Sequence, residues 1–156
     1  YLEKVAKLKA VCPDIAITTD IIVGFPGETE DDFLNTLDLV KQVRYESAFT
    51  FIYSIRRGTP AAHWPDQVPE DVKHERFNRL VDAIHEIQEE DAKRYQDMVL
   101  PVLIEGPSKT DPNMLTGRTE GGKTVDFPGD LSLVGQIVPV RITRPQTFSF
   151  YGEAEI

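Results

Sequence analysis

The stretch TTDIIVGFPGETEDDF, Thr18 to Phe33, decides the fold. Its first half belongs to "IAITTDIIV", Ile15 to Val23, rich in β-branched residues and almost continuously apolar. That is the pattern of a strand covered on both faces. Gly24-Phe25-Pro26-Gly27 reads as a turn. Thr29 suits a helix N-cap, with Asp32 three residues on in the manner of a capping box. The acids of the first helical turn favour the positive end of the helix dipole. A strand–glycine–helix junction often holds a phosphate, but the residues that would face it here are Glu28, Glu30, Asp31 and Asp32. Neither a P-loop nor a dinucleotide pyrophosphate site is compatible with those carboxylates. Two readings stay open. In one, the glycines let the backbone approach a neutral, flat or zwitterionic ligand at the C-terminal end of a parallel strand. In the other, the turn is a capped connection with no ligand.

Outward from this junction the elements alternate. A helix over Tyr1–Val11, with Leu2, Val5, Leu8 and Val11 recurring every three residues, ends at Cys12-Pro13. The helix after the turn runs to about Arg44, with Phe33, Leu37 and Val40 on one face. "SAFTFIYS", Ser47 to Ser54, is a second strand, and "RRGTPAAHWPDQVP" a long loop. From Glu70 to about Asp97 a long amphipathic helix buries Val72, Phe77, Leu80, Val81, Ile84, Ile87 and Tyr95. This order implies parallel strands joined by right-handed crossovers. Beyond Leu100-Pro101 the style changes. "VLIEGPS", "MLTGRTE", "KTVDFPG", "GQIVPVRIT" and "FSFYGEAEI" are five short strand candidates separated by turns, most simply a small closed OB-like barrel. The expected fold is therefore α/β followed by all-β, with residues 1–97 and 98–156 as the two domains.

Composition bounds the function. A net charge of −9 argues against wholesale coating of nucleic acid or anionic membrane, while permitting a local basic patch. No apolar run approaches the roughly 18 residues of a membrane span, and no signal peptide is visible. Cys12 is the one cysteine, which excludes an internal disulfide and fits a reducing, cytoplasmic setting. A chain that opens at Tyr1 inside a helical pattern reads as a piece of something longer.

Three motifs carry a resemblance: "TDIIVGFPGET", "FTFIYSIRRGTPAA" and "EGPSKTDPNMLTGRT". In this order they resemble the C-terminal part of a radical S-adenosylmethionine methylthiotransferase, of the tRNA-modifying MiaB type. The resemblance implies a partial (βα) barrel followed by a TRAM domain that contacts RNA. It puts Gly24, Phe25, Pro26 and Gly27 near the methionine and adenosine parts of S-adenosylmethionine, and Tyr53 and Ser54 at the adenine. Ile55 and Arg57 stand where the family commonly has prolines. The family's chemistry also needs cysteine triads for two 4Fe–4S clusters, and iron–sulfur clusters are held by thiolates. With Cys12 alone, expected to be a small buried or half-buried side chain, this chain by itself is expected to bind no cofactor and to be inactive. The catalytic machinery and metal ligands would lie in a missing N-terminal part of the same enzyme. Self-association through an exposed barrel edge is expected in its absence. Two alternatives remain: a relative modifying an aspartate of a ribosomal protein, and a stand-alone RNA-binding module.

The remaining candidates are plainer. His74 and His85, roughly 16 Å apart along one helix, are too distant to share a metal. His63-Trp64 anchors a loop, and Glu89-Glu90-Asp91 is a solvated helix face. In the tail, Lys109, Arg118, Lys123 and Arg141 are the candidate RNA contacts, Arg118 and Lys123 flanking the Gly121-Gly122 turn. Arg144 is a further cation there. Lys73 and Arg76 are read as lying on the long helix outside the barrel. Phe148, Phe150 and Tyr151 are read as barrel core.

Overall fold

The computed structural model describes residues 1–109 and 111–155. Thr110, within the third motif, and Ile156, the last residue of the fifth tail strand candidate, lie outside them. The chain forms two compact units, Tyr1–Gln88 and Glu89–Ile156, so the division falls within the long helix.

The first unit contains α1 (Leu2–Val11), β1 (Thr18–Val23), α2 (Glu30–Val43), β2 (Ser47–Ile52) and most of α3 (Glu70–Ala92). β1 and β2 pair in parallel, from Thr18 opposite Ser47 to Val23 opposite Ile52. Side chains alternate across a strand. Ile21 and Val23, with Ala48 and Ile52, therefore face a core built from Phe33, Val40 and Val43 of α2 and Leu80, Ile84 and Ile87 of α3. The other face carries Ile22, Phe49 and Phe51, all exposed. The strands thus have the apolar sequence of a two-sided sheet, but within this unit helices cover one side.

Four expectations change here. β1 begins at Thr18 rather than Ile15, because the chain after Cys12-Pro13 first turns, with Ile15 N donating to Cys12 O (3.1 Å). Of the α1 stripe Val5 alone is buried, and Leu2, Leu8 and Val11 are exposed. Cys12 is exposed too, since it follows a helix that meets the core through one residue. The helix ends at Ala92 and tightens into a 3-10 turn over Lys93–Tyr95.

The second unit is a closed five-stranded barrel of β3 (Val99–Pro107), β4 (Met114–Thr119), β5 (Thr124–Pro128), β6 (Ile137–Pro145) and β7 (Ser149–Ala154). Its order is β3-β4-β5-β7-β6, closed by β6 on β3, and β5 and β7 are its parallel neighbours. This is the OB-like arrangement expected from the turn spacing. Alternation sends Val102, Ile104, Leu115, Val125, Phe127, Val138, Val140, Ile142 and Phe150 inward. Gly117 and Gly152 let neighbouring strands close up: a Cβ on either would lie 2.5 Å from a valine methyl. Phe150 is core as expected, but Phe148 is 71% exposed and Tyr151 half-buried. Phe148 sits in the β6–β7 turn before the strand begins, where no pleat directs it inward.

Candidate functional site

The opening junction is built as a preformed turn. Thr29 caps α2 with its hydroxyl on Asp32 N, and the Asp32 carboxylate returns to Thr29 N, completing the capping box. The Thr29 hydroxyl and backbone bonds hold the Asp32 carboxyl below the usual range. Inside the turn, Glu28 N donates to Phe25 O (2.9 Å) and Gly27 N to Asp66 O (2.9 Å). Gly24 N donates to Glu28 Oε2 (3.0 Å).

The acids of the turn have their own cations, carried by α3. Lys73 and Arg76 lie on α3, outside the closed barrel as expected, and are 2% and 5% exposed. Arg76 Nη1 donates to Glu28 Oε1 (2.8 Å) and Glu28 O (3.0 Å), and its Nε donates to Glu30 Oε2 (3.3 Å). Arg79 Nη1 completes the network on Glu30 Oε1 (2.8 Å) and Glu75 Oε1 (3.1 Å). Its hydrogen bond holds the Glu30 carboxyl below the ordinary range. Lys73 Nζ meets Glu70 Oε1 (2.7 Å) and Tyr53 O (3.4 Å). The signal was in the sequence: Lys73, Arg76 and Arg79 recur every three residues on one helix face, the two arginines matched to Glu28 and Glu30. Their burial was not, because an arginine is usually exposed unless paired.

The glycines are used by the protein itself. Gly24 has φ +77°, and a Cβ there would lie 2.4 Å from Lys73 Cγ. A Cβ on Gly27, at φ +85°, would lie 2.5 Å from Asp66 Oδ2. What the turn turns toward solvent is aromatic. The Phe25 ring meets Tyr53 edge-on at 5.1 Å and Trp64 at 5.6 Å, with Phe25 and Trp64 exposed. Tyr53 N donates to Val23 O (2.8 Å), so the ends of both strands and the turn stand together. The Tyr53 hydroxyl is buried with no hydrogen-bond partner, an orphaned polar atom beside those rings. Pro26 is buried and Ser54 exposed. These flat rings and the unused hydroxyl suit an adenine-bearing ligand. Among the described residues no three His, Cys, Asp or Glu side chains gather for a metal.

In the barrel the candidate cations are dispersed. Lys109 is exposed on the β3–β4 connection. Arg118 pairs with Glu105 (3.1 Å), and Arg141 pairs with Glu155 and donates to Asp97 O (3.2 Å). Lys123 Nζ reaches Thr147 O (3.5 Å) beside the β6–β7 turn. Arg118 stands opposite Leu103 of β3 and Arg141 opposite Val99 of β3. Four residues of strand, roughly 13 Å, separate those two points. The row the sequence reading missed is Thr116, Asp126, Tyr151 and Arg144. They are successive cross-strand partners on β4, β5, β7 and β6.

Residues 93–156 match the family model of the TRAM domain. Over 153 residues, 98% of this chain, the sequence is 57% identical to the tRNA-2-methylthio-N(6)-dimethylallyladenosine synthase of Clostridium botulinum (strain Hall). It is 56% identical over the same span to the synthase of that name from Clostridium perfringens (strain 13). The chain spans 34% of the length of these relatives. The resemblance carried by the three motifs thus extends over essentially the whole chain.

Proposed function

We propose that this chain is the C-terminal part of a tRNA methylthiotransferase, which adds a methylthio group to an adenosine beside the anticodon using S-adenosylmethionine. The identity of 57% over 98% of the chain carries this reading, because it takes in the glycine turn, the β2 end and the barrel together. In it, residues 98–156 are the RNA-binding TRAM part, acting in the cytoplasm through cations drawn from Lys109, Arg118, Lys123 and Arg141. Residues 1–97 complete one side of a barrel. Phe25, Tyr53 and Trp64 would meet the adenosine of S-adenosylmethionine, on a turn kept in shape by Gly24, Pro26, Gly27 and the Glu28–Arg76 pair, with Ser54 beside it. Two 4Fe–4S clusters on cysteines outside these residues would supply the radical chemistry.

The test is mass spectrometry of tRNA from cells expressing the complete parent protein. A methylthioadenosine beside the anticodon is expected; its absence, or methylthiolation of a ribosomal protein instead, overturns the assignment. The 156 residues alone are expected to remain colourless after anaerobic reconstitution with iron and sulfide, since Cys12 is the one thiol. A cluster absorbance with several irons per chain would contradict this. The bare face of Ile22, Phe49 and Phe51 adds an expectation, because exposed apolar sheet faces and edges recruit partners. Light scattering should show the isolated chain self-associating, and Phe49→Ser with Phe51→Ser should return it to a monomer.

A further inference from the structure

We propose that the outward row Thr116–Asp126–Tyr151–Arg144 is a base-recognition subsite for single-stranded RNA, with Asp126 accepting hydrogen bonds from a base and Arg144 on Tyr151 forming the platform. It rests on the RNA-binding reading of this barrel and specifies how sequence enters it.

The row is set by register: Asp126 of β5 lies between Thr116 of β4 and Tyr151 of β7, and Arg144 of β6 is the next partner of Tyr151. Val125 and Phe127 fill the core on either side, so Asp126 points outward. It is nevertheless 8% exposed, and its Oδ1 is buried without a hydrogen-bond partner. An unpartnered buried acceptor is costly, and a threonine or valine would suit the strand better. The carboxylate asks for a partner from outside the chain, and as an acceptor it asks for N–H groups, not phosphate oxygens.

The neighbours fit a nucleobase. The irregularity between Ile142 and Arg144 leaves Thr143 and Arg144 both exposed and sets Arg144 opposite Tyr151. The guanidinium lies 4.0 Å from the Tyr151 ring centre. Guanidinium planes and aromatic rings are the surfaces on which splayed bases stack. Arg118, Thr124 and Ser149 form the adjacent row and offer donors to a backbone, with exposed Phe148 preceding Ser149. β4 and β5 are the second and third strands of an OB-like barrel, the face on which such barrels take oligonucleotides. A closed barrel has no free edge for an added peptide strand, so the row is not a β-addition site.

The test titrates the 156-residue chain with labelled single-stranded oligouridylates carrying one guanosine or one inosine, which differ by the exocyclic amine, and a second pair with cytidine or uridine. Wild type should favour the amine-bearing member of at least one pair by about tenfold. Asp126→Asn should abolish that preference while leaving the salt slope unchanged, because no phosphate contact is lost. Arg144→Ala should weaken every oligonucleotide and leave the melting temperature in place. The inference is overturned by equal wild-type affinities within both pairs, or by Asp126→Asn keeping the ratio. A uniform gain in affinity for Asp126→Asn, as from removing a repelling charge, overturns it too. Wild type that binds tRNA yet shows no base preference sinks the subsite alone. Wild type that binds neither tRNA nor any oligonucleotide at low salt sinks the RNA reading and the subsite with it.

Discussion

The two units deal with the same problem, a sheet with apolar residues, in opposite ways. The barrel closes β6 onto β3, so all five strands find partners and the inward set is buried by the unit's own residues. The first unit has two parallel strands, a helix-covered face and a bare one. It is held at the turn by a charge network instead: Glu28 and Glu30 on Arg76 and Arg79. Closure makes stability local to the barrel; the open sheet depends on a few specific contacts around its functional turn. Unit-resolved amide exchange can test that difference.

The largest effect is expected for Arg76→Ala. It leaves Glu28, whose side chain is 13% exposed, without its ion-pair partner beside an apolar core. Breaking a buried pair from one side costs about 3–5 kcal/mol. Exchange in β1, α2 and the first turns of α3 should accelerate accordingly while the barrel amides keep their rates. Equal acceleration in both units would break the contrast.

Gly24→Ala comes next. It adds a Cβ in left-handed backbone, 2.4 Å from the buried Lys73 stem. Backbone strain and overpacking together should cost on the order of 3 kcal/mol. The same change at Gly122, also left-handed at φ +82° but with open space around it, should cost about 1–2 kcal/mol. Denaturant melts of the two variants separate packing from backbone strain, and equal losses would mean that the Lys73 contact is dispensable.

The smallest effect belongs to the cap. Thr29→Ala should cost about 1 kcal/mol. Acid should reach the same contact from the carboxylate side. Asp32, held low by Thr29, contributes stability fully above its unfolded value of about 3.9, and this is lost as pH falls through the lower folded value. Glu30, through Arg79, and Glu70, through Lys73, follow the same sign, as does Asp130 of the barrel through Ser132. Below about pH 4 the first unit, with three such groups to one, should open before the barrel. Barrel amides exchanging first in acid would reverse the comparison.

Much of this architecture could be read from residue patterns. The Thr29–Asp32 capping box, the glycine turn, the parallel strands and the five barrel strands all follow from local propensity, turn chemistry and alternation. These act within a few residues, so they survive as sequence signals. The readings that changed involve side chains whose fate depends on distant neighbours. Apolar spacing says that α1 is a helix, not that Val5 alone reaches a core. Phe148 looks like its neighbour Phe150 until the strand's starting point sets which of them enters the pleat.

The sequence by itself determined the order of elements, the place of the acid-rimmed glycine turn, and the resemblance carried by the three motifs. Tertiary structure decided that Lys73 and Arg76 are buried against that turn, and that Asp126 is a buried carboxylate with a partnerless oxygen beside Tyr151. The reason is physical: a charge's burial depends on what stands opposite it across the fold. Glu28 and Arg76 are forty-eight residues apart in the chain and 2.8 Å apart in space.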